Sequence, residues 1–131
     1  SEVVCVTKSP YLNNKAVLVK INNLLITPWH PIRIDGLWIH PCHIGIASEY
    51  DCDAVYNFVL SKKHNMIINN INVVTLGHDF TEDIVRHPYF GSPDIITDLK
   101  RLEGWEEGLI ILQPGCLKYD NNTQLASSLL V

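Results

Sequence analysis

Residues 16–31 read Ala-Val-Leu-Val-Lys-Ile-Asn-Asn-Leu-Leu-Ile-Thr-Pro-Trp-His-Pro. The apolar, partly alternating run from Ala16 to Ile21 predicts a β-strand, and Asn22-Asn23 favours a two-residue hairpin turn. Residues 24–27 then predict the returning strand. A threonine and a histidine follow three residues apart, at 27 and 30, so the hairpin would deliver both side chains to the end of one rigid strand.

Two prolines stiffen the stretch that carries this pair. Pro28 and Pro31 each fix a backbone dihedral angle and bias the preceding residue towards extended geometry. Thr27 and His30 therefore lose little conformational freedom when they meet a common target. Residues 27–31 are therefore the strongest candidate for a catalytic motif in the chain.

The remainder of the first 78 residues predicts more short strands separated by Asn, Pro and Gly turns. This pattern is typical of a mainly β protein built from short antiparallel strands. The segment 41–53 lacks a period and is expected to be a loop. The further strands are predicted at 2–7, 32–34, 37–39, 54–60, 66–68 and 71–76.

Residues 79–131 contain helix-capping residues and apolar residues at helical spacing, and they predict a small helical extension packed on the same domain. Thr81 is expected to cap one short helix, with acidic residues following it. Ser92 and Pro93 are expected to start a second helix that runs to Gly104. A strand is predicted at 109–112, and residues 121–131 are expected to form a tail that docks or frays at its last three residues.

Composition excludes several classes of partner. At 131 residues with 47% hydrophobic residues, the chain predicts one domain with a real core. A net charge of -4 and the absence of a basic run argue against nucleic-acid binding. No apolar run approaches the roughly 20 residues that span a bilayer, and residues 1–4 are not a signal peptide, so no membrane association is expected.

Four cysteines are scattered through the chain without a disulfide framework or a zinc-finger spacing, at positions 5, 42, 52 and 116. We interpret them as mostly reduced, which favours an intracellular, cytoplasmic location, although a secreted protein with two bridges stays open. No metal is expected. The alternative is a zinc site, for which Cys42, His43 and Cys52 are the best candidates.

Three further stretches accompany the Thr-x-x-His motif in order: residues 55–59 (Val-Tyr-Asn-Phe-Val), residues 64–71 (His-Asn-Met-Ile-Ile-Asn-Asn-Ile) and residues 73–78 (Val-Val-Thr-Leu-Gly-His). With His-Pro-Tyr-Phe-Gly at 87–91, this order resembles the Hint superfamily, the self-processing modules shared by inteins and hedgehog proteins. It is most similar to the Vint branch, which is associated with von Willebrand A-type proteins. The resemblance covers roughly residues 3–110 and implies a horseshoe-like β fold.

The resemblance implies a reaction that occurs once, on the protein itself, without a cofactor. In the family, a Cys or Ser attacks the preceding peptide carbonyl and exchanges the amide for a thioester or ester. The imidazole corresponding to His30 protonates the leaving amide nitrogen, and Thr27 orients the scissile peptide. His64 resembles a second histidine that assists a later step. His78 is a further candidate that is equally explained as a turn residue, and His87 is expected to be structural.

Three departures from the family pattern change the expected outcome. Only 26 residues precede Thr27, so we expect the nucleophile segment to be missing and the chain alone to be inactive; Ser1 is not expected to replace it. Asn57 stands where inteins carry an aspartate and cannot carry a proton. Val74-Thr75 replaces the terminal His-Asn, so cyclisation and full splicing are not expected.

The resulting prediction is an N-to-S or N-to-O acyl shift and cleavage at the domain's own amino-terminal junction, with residues 1–78 as the β body. Whether the domain acts as an enzyme stays open. Its substrate would be its own upstream polypeptide, and the acyl acceptor would be water or another nucleophile. The alternative is a catalytically inactive Hint-fold interaction module in a multidomain protein.

Overall fold

The computed structural model describes residues 2–62 and 64–129. Helix α1 (Pro93–Lys100) and a short 3-10 helix (Pro41–His43) accompany the strands, so the predicted mainly β fold is confirmed. No helix in this described part has the length and apolar character needed to cross a membrane. In chain order the strands are β1 (Val3–Pro10), β2 (Lys15–Ile21), β3 (Leu24–Ile26), β4 (Ile32–Ile34), β5 (Leu37–Ile39), β6 (Ala47–Asp51), β7 (Ala54–Leu60), β8 (Asn65–Ile68), β9 (Ile71–Val74), β10 (Leu109–Ile111), β11 (Leu117–Tyr119) and β12 (Ala126–Leu129).

The predicted β2–β3 hairpin is confirmed, and β4–β5 and β8–β9 form two more hairpins with the same kind of turn. Strands β2 and β3 pair antiparallel across Asn22-Asn23, whose φ angles are 46° and 66°. The β4–β5 turn uses Asp35-Gly36, and the β8–β9 turn uses Asn69-Asn70, again with positive φ at both residues. Asparagine, aspartate and glycine tolerate this left-handed backbone, which matches the twist of two-residue hairpins.

The prediction that residues 41–53 form a loop is wrong for much of the segment. Strand β6 pairs antiparallel with β2, from Lys15 opposite Asp51 to Val19 opposite Ala47. Most of β6 is exposed, because it is an edge strand of the sheet β3-β2-β6. A strand exposed on both faces has no alternation of apolar residues, so its sequence carries no periodic signal.

A second sheet, ordered β5-β4-β9-β8, packs with the first around one apolar cluster. Ile32 pairs with Val73 across β4 and β9. The shared cluster fixes the position of the connection between β3 and β4, which carries the Thr-x-x-His motif. Its buried members are Val19, Ile26, Ile32, Ile71 and Val73.

The first predicted helix after residue 78 is wrong, whereas the second is confirmed. Residues 79–91 form turns, because the backbone N–H groups of Gly77 and Asp79 donate to the carbonyls of Phe90 and Gly91, at 2.7 and 2.6 Å. Helix α1 begins as predicted: the Ser92 hydroxyl accepts from the Asp94 N–H at 3.2 Å and Pro93 follows the cap. It ends at Lys100, one turn before Gly104.

The carboxyl-terminal strands belong to the core. Strand β10 is confirmed and pairs parallel with β1, which pairs antiparallel with β7 on its other side. Strands β11 and β12 pair with each other, so the predicted tail is wrong at 126–129: Ala126 and Leu129 are buried with Cys5, Leu99 and Ile110. The last two residues of the predicted tail lie outside the described residues.

Replacing Asn23 with Val should lower the free energy of unfolding by about 1–2 kcal/mol, because a β-branched side chain is strained at φ 66°. Asn23→Gly should preserve or slightly raise that free energy. Urea unfolding of both variants checks this. Asn23 is exposed, so a difference in core packing does not contribute to the measured stability. Equal stability of the two variants would show that the turn does not constrain the fold.

Candidate active site

The Thr-x-x-His motif forms a tight turn between β3 and β4. The N–H of His30 donates to the carbonyl of Thr27 at 3.2 Å, and Pro28 occupies the second position of the turn, where its fixed φ is favoured. The Pro28 carbonyl accepts from the N–H of Cys42 at 3.1 Å. The turn is therefore held both within itself and by the 3-10 helix.

A hydrogen bond between elements orients the imidazole of His30. Its Nε2 lies 2.9 Å from the carbonyl oxygen of Val74, the last residue of β9. A carbonyl only accepts, so Nε2 carries the proton and the Nδ1 lone pair of neutral His30 stays available. Burial lowers the pKa of His30, while the bond to Val74 opposes that decrease. The preferred form is a neutral imidazole of defined tautomer.

Most of the candidate catalytic side chains line one cavity of about 1230 Å³. The Thr-x-x-His turn forms part of its wall, β1 and β7 contribute another part, and residues 112–125 a third. Thr27, His30 and His78 therefore share one cavity. The other polar side chains in its wall include Thr7, Ser9, Asn57 and Thr75.

His78 is buried and fixed in one orientation. Its Nδ1 accepts the N–H of Phe80 at 2.8 Å, and its ring stacks on that of Phe80 with centroids 5.1 Å apart. A Cβ at Gly91 would lie 2.8 Å from Cε1 of His78, so only glycine allows this packing. Burial and the neighbouring charges of His64 and His30 lower the pKa of His78. The residue is more than a surface turn histidine.

His64 lies beside the cavity rather than in its wall. Its carbonyl accepts the N–H of Thr75 at 2.8 Å, so it sits opposite a cavity residue. Its Nδ1 is buried without a hydrogen-bond partner among the described residues. His64 is near His78, because its charge contributes to the lowered pKa of His78 and both rings contact Phe80. The catalytic roles assigned to Thr27, His30, His64 and His78 stay predictions.

Sequence reasoning did not assign several residues of the cavity wall to the site, and His40 and Thr75 are two of them. His40 lies against Trp29 and His43, with ring centroids 5.0 and 5.4 Å apart, and forms part of the cavity wall. Thr75 was recognised only as a departure from the family pattern. Neither residue lies in a motif with catalytic spacing, so only their positions in space reveal them.

The predicted structural role of His87 fits its contacts. Its Nδ1 accepts the N–H groups of Tyr89 and Phe90, at 3.1 and 3.0 Å. Burial lowers its pKa, and protonation of Nδ1 would break both bonds. His87 thus supports the turn that carries Gly91.

The zinc alternative receives no support from the geometry. Within residues 2–62 and 64–129, no group of three or more His, Cys, Asp or Glu side chains is arranged to hold a metal ion, so Cys42, His43 and Cys52 form no such site. The Cys52 thiol donates to the carbonyl of Ala54 at 3.1 Å. All four cysteines are free.

A family model described as Vint, a Hint domain, matches residues 1–128. The chain belongs to the Vint family of Hint domains. No curated protein matches it. In this Vint domain the imidazole of His30 lies against the end of β9, in the wall of a cavity that Asn57 also lines. Ser1, considered as a nucleophile, lies outside the described residues.

The lowered pKa values of His30, His40, His78 and His87 predict how stability depends on pH. The unfolded chain takes up protons near the ordinary histidine pKa of about 6.5, whereas the folded imidazoles resist them to lower pH. The free energy of unfolding should therefore fall as pH decreases from about 7.5 to about 5.5. Urea unfolding at several pH values measures the slope.

His87→Asn isolates one contribution to that slope, because the Asn oxygen accepts the same N–H groups and does not titrate. The variant should match the unmodified Vint domain at about pH 7.5 and lose less stability on acidification. An unchanged slope would contradict the assignment to His87, and a slope of zero in the unmodified domain would contradict the whole set.

Proposed function

We propose that this Vint domain processes itself, breaking the peptide bond at its own amino-terminal junction by an N-to-S or N-to-O acyl shift. The observation that supports the proposal most is the fixed, neutral His30 in the wall of a cavity shared with Thr27 and His78. A held imidazole with a free Nδ1 is the group that proton transfer at an amide requires. The substrate is the domain's own upstream polypeptide.

The acyl shift exchanges one bond for another. The sulfur or oxygen of a Cys or Ser, located upstream of the described residues, attacks the carbonyl carbon of the preceding residue. His30 Nδ1 takes the proton of that nucleophile and passes it to the amide nitrogen as the carbon–nitrogen bond breaks. The products are a thioester or ester and a free amine, and the imidazole returns to its neutral form.

The lowered pKa of His30 suits the first proton transfer. A neutral imidazole accepts a proton, whereas an imidazolium cannot, so the domain begins the reaction in the competent form at neutral pH. The Val74 carbonyl then stabilises the transient imidazolium through the Nε2–H bond. Thr27, in the same turn, orients the scissile peptide.

The second stage is cleavage rather than splicing. Val74-Thr75 offers no side-chain amide that could cyclise, so the thioester or ester is released by water or by another nucleophile. His64, whose Nδ1 has no hydrogen-bond partner among the described residues, assists this stage by accepting the proton of the incoming nucleophile. His78, whose Nδ1 already accepts the Phe80 N–H, helps to position the acyl group in the cavity. An attacking water gives a carboxylic acid and regenerates the thiol or hydroxyl.

The test uses the complete protein, expressed with the residues that precede this chain. Fragment formation is followed on a gel and by mass spectrometry, with and without added thiol. His30→Ala should slow fragment formation about 10²–10⁴-fold, the usual contribution of a general acid–base. His43→Ala is the matched control, because His43 is an exposed imidazole outside the cavity wall.

The outcomes separate the two candidate functions. Equal rates for His30→Ala and the unmodified protein would remove the catalytic assignment of His30. Failure of the unmodified protein to form any fragment would favour the inactive interaction module. Thermal unfolding of each variant ensures that a lost reaction is not a lost fold.

A further inference from the structure

Thr75 is the most unusual polar residue in the cavity wall. Only 3% of its surface is exposed, and its hydroxyl oxygen is buried with no hydrogen-bond partner among the described residues. Buried polar groups in folded proteins are nearly always hydrogen-bonded, because an unpaired group has lost its contacts with water and gained nothing. An unpaired hydroxyl at this position therefore requires an explanation.

The backbone around Thr75 is fixed from three directions. Its own N–H donates to the His64 carbonyl at 2.8 Å, and the next residue, Leu76, donates to Phe58 at 3.0 Å. The preceding carbonyl, that of Val74, accepts the Nε2–H of His30. Thr75 is thus one residue from the group that orients His30, and its position relative to that imidazole is set by hydrogen bonds.

We propose that Thr75 is a catalytic hydrogen-bond donor, whose hydroxyl binds the carbonyl oxygen of the acyl group on which His30 acts. The inference rests on the proposed self-processing function. Negative charge develops on that oxygen when the nucleophile attacks, and a preorganised donor in a water-excluded site stabilises it strongly. Thr75 lines the cavity on a backbone fixed by hydrogen bonds, and rotation about its Cα–Cβ bond lets the hydroxyl meet a group bound there.

The other polar side chains of the cavity fit this role less well. Thr27 lies in the rigid Thr-x-x-His turn, where it is proposed to orient the peptide, and it is only partly buried. Asn57 is also partly buried, on β7 opposite Thr7. Among the described residues that line the cavity, Thr75 alone combines near-complete burial, an unpaired hydroxyl and direct connection to the partner of His30.

A structural role for the hydroxyl would leave a different signature. The Nδ1 of His64, opposite Thr75, is also buried and unpaired. If the hydroxyl turned to donate to that nitrogen, it would stabilise the fold, and its removal would lower the melting temperature. If it is reserved for the acyl carbonyl, its removal relieves an unpaired group and costs no stability.

The experiment compares Thr75→Val with Thr75→Ser in the complete protein. Valine keeps the shape and removes the hydroxyl, whereas serine keeps the hydroxyl. We expect Thr75→Val to melt at the same or a higher temperature and to cleave about 10²–10³-fold more slowly, as when one oxyanion donor is lost. Thr75→Ser should retain a rate within about tenfold of the unmodified protein.

Three results would overturn the inference: an unchanged rate in Thr75→Val, a slower rate accompanied by a lower melting temperature, or a serine variant as slow as the valine variant. The His30→Ala variant shows whether only the role of Thr75 is wrong or the proposed self-processing function is wrong as well. If His30→Ala stops cleavage while Thr75→Val does not, the function stands and the role of Thr75 is wrong. If the unmodified protein does not cleave, both proposals are wrong.

Discussion

The hydrogen bond from His30 Nε2 to the Val74 carbonyl connects the two halves of the candidate site. It joins a turn between β3 and β4 to the end of β9, which is 44 residues away in the chain. The bond fixes the tautomer and orientation of the imidazole at the same time. Everything proposed for the site depends on it, because proton transfer requires both a known protonation state and a known direction.

The strands around this bond explain why the contact can persist. Ile32 and Val73, close to the two ends of the bond in sequence, pair in one sheet and share a buried cluster with Val19. Apolar burial of this kind is the main favourable term in folding. The Thr-x-x-His turn is therefore supported by the apolar core of the domain as well as by its own hydrogen bonds.

The polar groups buried around the cavity lower the stability of the folded domain. Several of its imidazoles have a lowered pKa because burial disfavours their charged form. Among the described residues in or beside the cavity, one hydroxyl and two imidazole nitrogens are buried without hydrogen-bond partners. Each feature opposes stability on its own. These features are concentrated around one cavity, and such clustering is more typical of functional sites than of ordinary packing.

Local sequence determined the hairpins and the Thr-x-x-His turn. Asn22-Asn23 and Asp35-Gly36 are residues that favour the left-handed backbone they adopt, and prolines stiffen the turn. The side chain of Ser92, followed by Pro93, starts the helix. The order of motifs along the chain likewise identified the Hint superfamily. These features depend on residues a few positions apart, so the sequence contains the whole signal.

Only the tertiary structure decided the remainder. Edge strand β6 pairs with the distant strand β2, and the buried residues of β12 pack against Cys5, Leu99 and Ile110. No local pattern encodes such distant partners. The same applies to the cavity: nothing in the neighbours of Thr75 or His78 places them with His30. Their proximity follows from backbone hydrogen bonds and core packing that exist only once the sheets have assembled.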